Sequence, residues 1–197
     1  TRILAEDERV AKFQKLSDGN IYSVPYWNET ENEMFHDNLF VNKKWMDQLG
    51  LAVPNTIQEF ENILIAFRDN DVNGNGDPND EIPYTFIMGH QYFGFDTMYA
   101  IFGNYDNSER GYPRLRYHEG VVTFTADKDD WKAATKWYAS LYAQNLLDPE
   151  GFTQDRSTLF AKGKAETAVI GATSAFLMQN VVGAERFYSD YTYVLPL

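Results

Sequence analysis

The chain contains no cysteine. That excludes disulfides, a thiol nucleophile and cysteine-ligated zinc, but it does not fix the compartment, since many exported bacterial proteins also lack cysteine. Histidine is almost as scarce. His36, His90 and His118 are the three present, without metal-like spacing, and read as ordinary surface or internally bonded side chains. Bases are few as well, 17 Lys and Arg against 29 Asp and Glu, for a net charge of -12. A phosphate-binding protein needs a basic face, and no basic cluster occurs, so nucleic acid is excluded as a partner. No apolar run is long enough to form a transmembrane segment, and no signal-peptide pattern is present. G-x-S-x-G is absent, so a serine hydrolase has no nucleophile elbow. The glycine-bearing stretch "NGNGDPND" is acidic and would repel phosphate.

Aromatic residues are abundant instead, at 16% of a chain of 197 residues, with 13 Tyr, 14 Phe and 4 Trp. The length suffices for a real core, and the aromatics serve either that core or surfaces that meet flat apolar ligand faces. "DGNIYSVPYW" opens with an Asp-Gly turn signal and runs into a short strand. "LFVNKKWMDQLG" reads as a strand over Leu39–Val41, a helix capped by Asn42 and a stop at Gly50. Thr56 and Glu59 form a capping box, and Ile57, Phe60, Ile63, Leu64 and Phe67 then share one helical face. "IPYTF" and "VVTFT" read as strands, and "FDTMYAIFG" as a helix ended by Gly103. The longest helix, "DKDDWKAATKWYASLYAQNLL", is expected to be capped by Asp127. It buries Trp131, Ala134, Tyr138, Leu141 and Leu146, and Trp131 and Trp137 read as packing residues. A helix ending at Gly163, a strand "TAVIG", a helix over "SAFLMQNVV" and a strand "YTYVLP" complete the series. Alternating strands and helices predict an α/β domain with a parallel or mixed sheet. "TRILAEDERV" and the final "YTYVLPL" both read as cut ends of something longer.

The stretch "DNDVNGNGDPNDEIP", Asp69 to Pro83, carries four Asp and one Glu in fifteen residues. It is either a solvated turn of turn-favouring residues or a cation site. Asp71, Asn73 and Asn75 stand on alternate residues with Gly76 in the sixth place, the pattern by which a tight turn aims oxygens at Ca2+. Asp77 holds the seventh place, which normally donates a backbone carbonyl. An EF-hand has Glu in the twelfth place, but Ile82 stands there and the acids arrive early as Asp80 and Glu81. The regularity favours a calcium loop with a shortened exit into a strand. Its expected metal residues are Asp71, Asn73, Asn75, Asp77, Asp80 and Glu81, and its role is structural.

The stretches "DGNIYSVPYW", "LFVNKKWMDQLGLAVPNTIQEFENILIAFRDND", "NGNGDPNDEIP" and "FAKGKAETAVIG" occur in this order. Together they resemble the extracellular solute-binding proteins of the sugar ABC-transporter class, the broad group that includes maltose-binding protein. The resemblance is strongest over Asp18–Pro83 and Leu159–Gly171. The calcium loop makes it closer to a branch with alginate-binding proteins and Gram-positive lipoproteins. One extra residue before the acids leaves Asn79/Asp80 and Asp80/Glu81 as alternative closers of the loop. The resemblance implies a periplasmic-binding-protein type II-like fold of two α/β lobes with a sugar in the cleft. Full chains of that family are roughly twice this length, as two-domain proteins generally must be. Residues 1–37 would then be the end of the first lobe and the first crossing. Residues 38–197 would be most of the second lobe, a mixed sheet flanked by helices.

Sugars present apolar C–H faces and a ring of hydroxyls, so their sites pair aromatic platforms with fixed polar groups. Three stretches suit that role at the carboxyl ends of strands. They supply Tyr26, Trp27, Asn28 and Glu29, then Gln91, Tyr92 and Phe93, then Thr173, Ser174 and Phe176. Core packing competes with ligand contact for Tyr92, Phe93 and Trp27. The function implied is non-catalytic capture of an oligosaccharide by lobe closure, for delivery to an ABC permease. The place implied is outside the cytoplasmic membrane, as a cell-surface lipoprotein or a periplasmic protein. A calcium-stabilised adhesive or structural module would account for the loop but not for the "LFVNKKW" crossing. A glycosidase would need two carboxylates about 5 to 10 Å apart across a cleft, and the densest acids are better explained by calcium.

Overall fold

The computed structural model describes residues 12, 14–23, 38–90, 92–94, 97–104, 114–195 and 197. The chain divides into two compact units, Thr1–Met34 and Phe35–Leu197. In the first unit the expected Asp-Gly turn is formed. Asp18 Oδ1 accepts the Asn20 N–H at 3.0 Å, Gly19 takes φ +84°, and Lys15 bridges Ile21 in antiparallel fashion. The stretch that would continue this strand lies outside the described residues.

The second unit is built on a four-stranded mixed sheet. Its strands are β1 (Asn38–Asn42), β2 (Ile82–Thr85), β5 (Ile170–Ala175) and β6 (Tyr191–Val194), in the order β2-β5-β1-β6. β2 runs parallel to β5, whereas β1 is antiparallel to both β5 and β6. Three strands thus point one way and β1 crosses back between them. The mixed α/β sheet expected from the alternation of elements is found, with both faces covered. Leu39 and Val41 enter one core cluster, and Phe40, between them, enters the other. That is the period of two of an extended strand buried on both sides.

One face is covered by α2 (Ile57–Asp69) and α4 (Asp129–Ala143), which contribute Phe60, Ile63, Leu64, Phe67, Ala134, Tyr138 and Leu141. The other is covered by α5 (Arg156–Gly163), α6 (Met178–Val182) and α7 (Ala184–Asp190), through Leu159, Met178, Val181 and Phe187. α1 (Lys43–Leu49) follows β1 directly. Asn42 accepts the Trp45 N–H, and Gly50 ends the helix at φ +68°. The capping box at α2 is formed with a shift. Thr56 Oγ1 accepts the Glu59 N–H at 3.2 Å, but Glu59 reaches back to the Asn55 N–H, at 2.7 Å. α3 (Thr97–Ile101) is short, and β3 (Leu115–His118) and β4 (Val121–Phe124) form a separate hairpin. Glu119 and Gly120, both at positive φ, make its tight turn.

Two expectations need correction. Asp127 does not cap the long helix. The helix begins at Asp129, its N-cap Lys128 makes no side-chain cap bond, and the Asp127 carboxylate is taken by Lys128 Nζ at 2.8 Å. The strand expected at "TAVIG" begins only at Ile170 and continues through Ala175. Residues expected just beyond its end therefore lie inside it. Trp131 and Trp137 pack as expected: Trp131 stacks on Tyr99 at 4.1 Å, and Trp137 Nε1 donates to Glu61 at 3.2 Å.

Gly171, in β5, sets a limit on close approach. A Cβ there would stand 2.9 Å from the Pro83 carbonyl oxygen of β2 and press on the Phe67 ring. Gly171→Ala is expected to destabilise the chain by about 1–3 kcal/mol through overpacking. Urea unfolding measures it, and an unchanged midpoint would refute the tight strand–helix contact.

Candidate sugar platform and acidic loop

Because β2 and β5 are parallel, Thr85 pairs with Thr173 and both strands end on the same side of the sheet. The chain leaving β2 folds into a compact loop. The Ile87 N–H donates to the Phe93 carbonyl at 2.7 Å, the His90 N–H to the Ile87 carbonyl at 3.2 Å, and Gly89 takes φ +71°. The chain leaving β5 meets this loop, with the Phe176 N–H donating to the Tyr92 carbonyl at 2.9 Å. The Tyr92 and Phe176 rings, both half-buried, then stand with centroids 5.6 Å apart. Leu177 and Met88, each 44% exposed, follow or precede these residues in the two segments.

Of the residues expected to touch sugar, the structure brings Tyr92 and Phe176 together. Phe93 is buried against Phe160 and His90 and belongs to the core. Thr173 and Ser174 are corrected outright: both are fully buried in β5, and Ser174 Oγ bonds the Tyr84 hydroxyl at 3.0 Å. The strand continues four residues past Gly171, where it was expected to end. Tyr26, Trp27, Asn28, Glu29 and Gln91 lie outside the described residues.

His90 was not singled out by its sequence context, since a lone histidine carries no spacing signal. Its Nδ1 accepts the Tyr92 N–H at 3.1 Å, so the proton of the neutral ring is on Nε2. Burial, and then the charge of Arg156, holds its pKa below the ordinary 6.5.

Beneath the loop lies a buried polar network, also not evident in the sequence because its members are far apart in the chain. Asp148 Oδ2 accepts from Thr85 Oγ1 at 2.6 Å and from Lys162 Nζ at 2.7 Å. Lys162 also reaches Glu150 at 2.7 Å and Gln154 Oε1 at 3.0 Å. Gln154 Nε2 donates to the Phe86 carbonyl at 2.6 Å, and the Met88 N–H donates to Gly151 O at 2.9 Å. With Asp148 4% exposed, the charge pair is well shielded and every donor is used, which is what makes such burial tolerable. The loop is thus held from below as β2 ends.

The acidic loop lies at the other end of β2. Asp71 curls the chain over itself, its Oδ1 accepting the N–H groups of Gly74 and Asn75 and its Oδ2 that of Gly76. Asp80 faces both carboxamides, taking Asn73 Nδ2 at 2.8 Å and Asn75 Nδ2 at 2.6 Å. Glu81 Oε1 takes the Asn73 N–H at 3.3 Å. Asp77, by contrast, accepts from the Asn79 N–H at 3.1 Å, so its side chain and Asn79 are engaged with each other. Among the described residues no three carboxylate, imidazole or thiol side chains form a metal cage by themselves. Asn75 joins Asp71 to Asp80 and Asn73 joins Asp80 to Glu81 through their hydrogen bonds, so one short loop holds the carboxylate and carboxamide types that Ca2+ prefers. Glu81 Oε2 is the sign of fit: it is buried and has no hydrogen-bond partner. A carboxylate oxygen left in that state is costly unless a cation meets it.

No protein-family model matches the chain. The chain is 34% identical over 201 residues to the fructooligosaccharide ABC transporter substrate-binding protein FusA of Streptococcus pneumoniae serotype 4, covering 100% of this chain and 36% of that protein. The structure of FusA in complex with kestose superposes at a TM-score of 0.84, with 33% identity over 98% of this chain and 38% of that one. The chain matches a segment of the solute-binding proteins of sugar ABC transporters. A FusA EF-hand mutant in complex with fructo-nystose superposes at 0.83, with 32% identity over 98% of this chain and 38% of that one. An extracellular solute-binding protein from Bifidobacterium longum subsp. infantis superposes at 0.74, with 26% identity over 98% of this chain and 39% of that one. The fold is shared with an alginate-binding protein solved without calcium ion, at 0.60 and 22% identity over 88% of this chain and 33% of that one. The solute-binding reading of the "LFVNKKW" and "FAKGKA" stretches holds, as does the mixed α/β fold. The chain spans 36% of the length of the curated relative. No helix among the described residues is long and apolar enough to cross a membrane.

Burial raises the Glu81 carboxyl above its ordinary 4.5, and the charge of Asp80 adds to the effect. A raised acid contributes stability that is present below the unfolded value and lost as pH rises through the folded one. In chelator, wild type is therefore expected to lose stability relative to Glu81→Gln as pH is raised from 4.5. Parallel urea titrations of the two chains across that range test it, and a pH-independent difference would refute the buried, unpaired carboxylate.

Proposed function

We propose that the chain is part of a non-catalytic protein that captures an oligosaccharide outside the cytoplasmic membrane and delivers it to an ABC permease. The observation that carries this is the Tyr92–Phe176 pair, assembled where parallel β2 and β5 end. Two half-buried rings on the segments that leave two paired strands suit the C–H face of a sugar, and open α/β sheets bind ligands at that end of their strands. The complex of FusA with kestose supports a fructose-containing oligosaccharide as the first ligand to try. Residues 38–197 act as most of one lobe, and residues 1–37 as the end of the other with its crossing. The sugar selects the closed state of the lobes. The whole protein is a cell-surface lipoprotein or a periplasmic protein.

We further propose that the acidic loop holds a structural Ca2+. Asp71, Asp80 and Glu81 would supply carboxylate oxygens, Asn73 and Asn75 carboxamide oxygens, and Asp77 its backbone carbonyl. The ion would neutralise the loop and tie the end of α2 to the start of β2. The FusA EF-hand mutant supports a loop of this kind in a relative. Of the two possible closers, Asp80 and Glu81 suit the role, because Asn79 is turned to Asp77.

Thermal unfolding with Ca2+ and with chelator tests the loop. Calcium at about a thousand times its dissociation constant adds roughly 4 kcal/mol, so the midpoint is expected to rise by several degrees. The rise should vanish in Asp71→Ala/Asp80→Ala, and an equal rise in that variant would refute the site. For the platform, Tyr92→Ala is expected to weaken kestose binding about tenfold, at unchanged melting temperature. Titration followed by NMR reads the weak affinity of a single lobe, and an unaltered dissociation constant would remove Tyr92 from the site.

A further inference from the structure

We propose that His90 is the positioning residue of the sugar-facing wall: its neutral imidazole, by accepting the Tyr92 N–H, holds Tyr92 against Phe176. The inference rests on the platform reading above for its sugar, but its geometry stands on the two hydrogen bonds of the Tyr92 backbone. Both backbone polar groups of Tyr92 are committed in opposite directions. Its N–H goes to His90 Nδ1 at 3.1 Å, and its carbonyl accepts the Phe176 N–H at 2.9 Å. The first bond ties Tyr92 to the loop after β2, and the second ties it to the segment after β5. Loss of the first removes the bond that fixes the Tyr92 backbone relative to the His90 side of the loop, and with it one of the two backbone anchors that aim its ring.

The bond has the connectivity of an Asx-turn, in which a side-chain acceptor takes the N–H two residues on. Nδ1 of histidine and Oδ1 of asparagine occupy the same place along the side chain, so asparagine can replace the bond while alanine cannot. Histidine differs from asparagine in one respect. Protonation turns Nδ1 from acceptor to donor and breaks the bond. Among the described residues, Arg156 at the start of α5 is the charged group whose field reaches the ring, and it opposes protonation together with burial. The imidazole thus stays an acceptor at neutral pH and fails only below its ordinary 6.5. The neighbouring rings of Tyr92 and Phe93, with centroids 6.0 and 5.0 Å away, shield it from the loop side.

The test uses the 197-residue chain, His90→Ala and His90→Asn, with kestose as the probe. Hydrogen exchange of the Tyr92 amide, followed by NMR without sugar, reads the bond itself. The kestose dissociation constant at pH 7.5 and at pH about 5 reads its consequence. His90→Ala is expected to speed exchange at Tyr92 and weaken kestose about three- to tenfold, the worth of one hydrogen bond. His90→Asn should keep both values and, unlike wild type, show no loss of affinity on acidification. Unchanged Tyr92 exchange in His90→Ala overturns the proposal, whatever kestose does. Restored exchange in His90→Asn without restored affinity overturns the link from His90 to the sugar. If kestose binds no chain at all while exchange follows this pattern, the platform reading falls and the positioning of Tyr92 by His90 stands.

Discussion

The parallel pairing of β2 with β5 is the constraint on which the rest depends. Strands separated by more than eighty residues of chain are brought into register, with Ile82 beside Ile170 and Thr85 beside Thr173. Parallel neighbours need a long crossover, and α2 to α5 lie within or beside it, covering the sheet on both faces. The pairing makes two distant loops neighbours at one edge. Each supplies one ring of the pair, with centroids 5.6 Å apart. Gly171 permits the approach because any side chain there would collide with β2 and with Phe67.

Polar groups then hold what the apolar core leaves free. Asp148, Lys162, Gln154 and Thr85 fasten the exit of β2 from below. The net worth of such a network comes less from its charges than from leaving no buried group unbonded. The loop above it sinks Ile87 and Phe93 into the core and takes the rest of its shape from backbone bonds and the His90 ring. The acidic loop follows the opposite logic. Its bonds satisfy nearly every group, but a buried oxygen of Glu81 is left over. In one part of the fold the chain supplies its own cations, and in the other the donor set calls for one from solution.

Local chemistry was legible in the sequence. Asn42, Thr56 and Gly50 act as caps because each meets its requirement within three or four residues. The face formed by Phe60, Ile63, Leu64 and Phe67 followed from helical spacing alone. The acidic loop was legible for the same reason, since its oxygens are grouped in a short run of chain. What depended on the third dimension was not. Thr173 and Ser174 looked like strand-end residues because Gly171 resembles a strand stop, whereas it is a contact point within the strand. Asp127 looked like a cap until the neighbouring lysine took its carboxylate. Neither His90 nor the Asp148 network carries a sequence pattern, because each works through partners fixed by the folded backbone. The same limit applied to Tyr92 and Phe176: each was legible as an aromatic near a strand end, and their pairing was not.

The acidic loop opens β2, and the aromatic pair stands beyond the strand's far end, with the strand's four residues between them. A strand of that length separates the two by about 13 Å. It is locked on one side by β5, so it transmits little of a local rearrangement. The acidic-loop residues and the ring-bearing residues are therefore free to diverge on separate schedules. A lineage can exchange the rings while inheriting the loop intact, or lose the loop's acids and keep the rings.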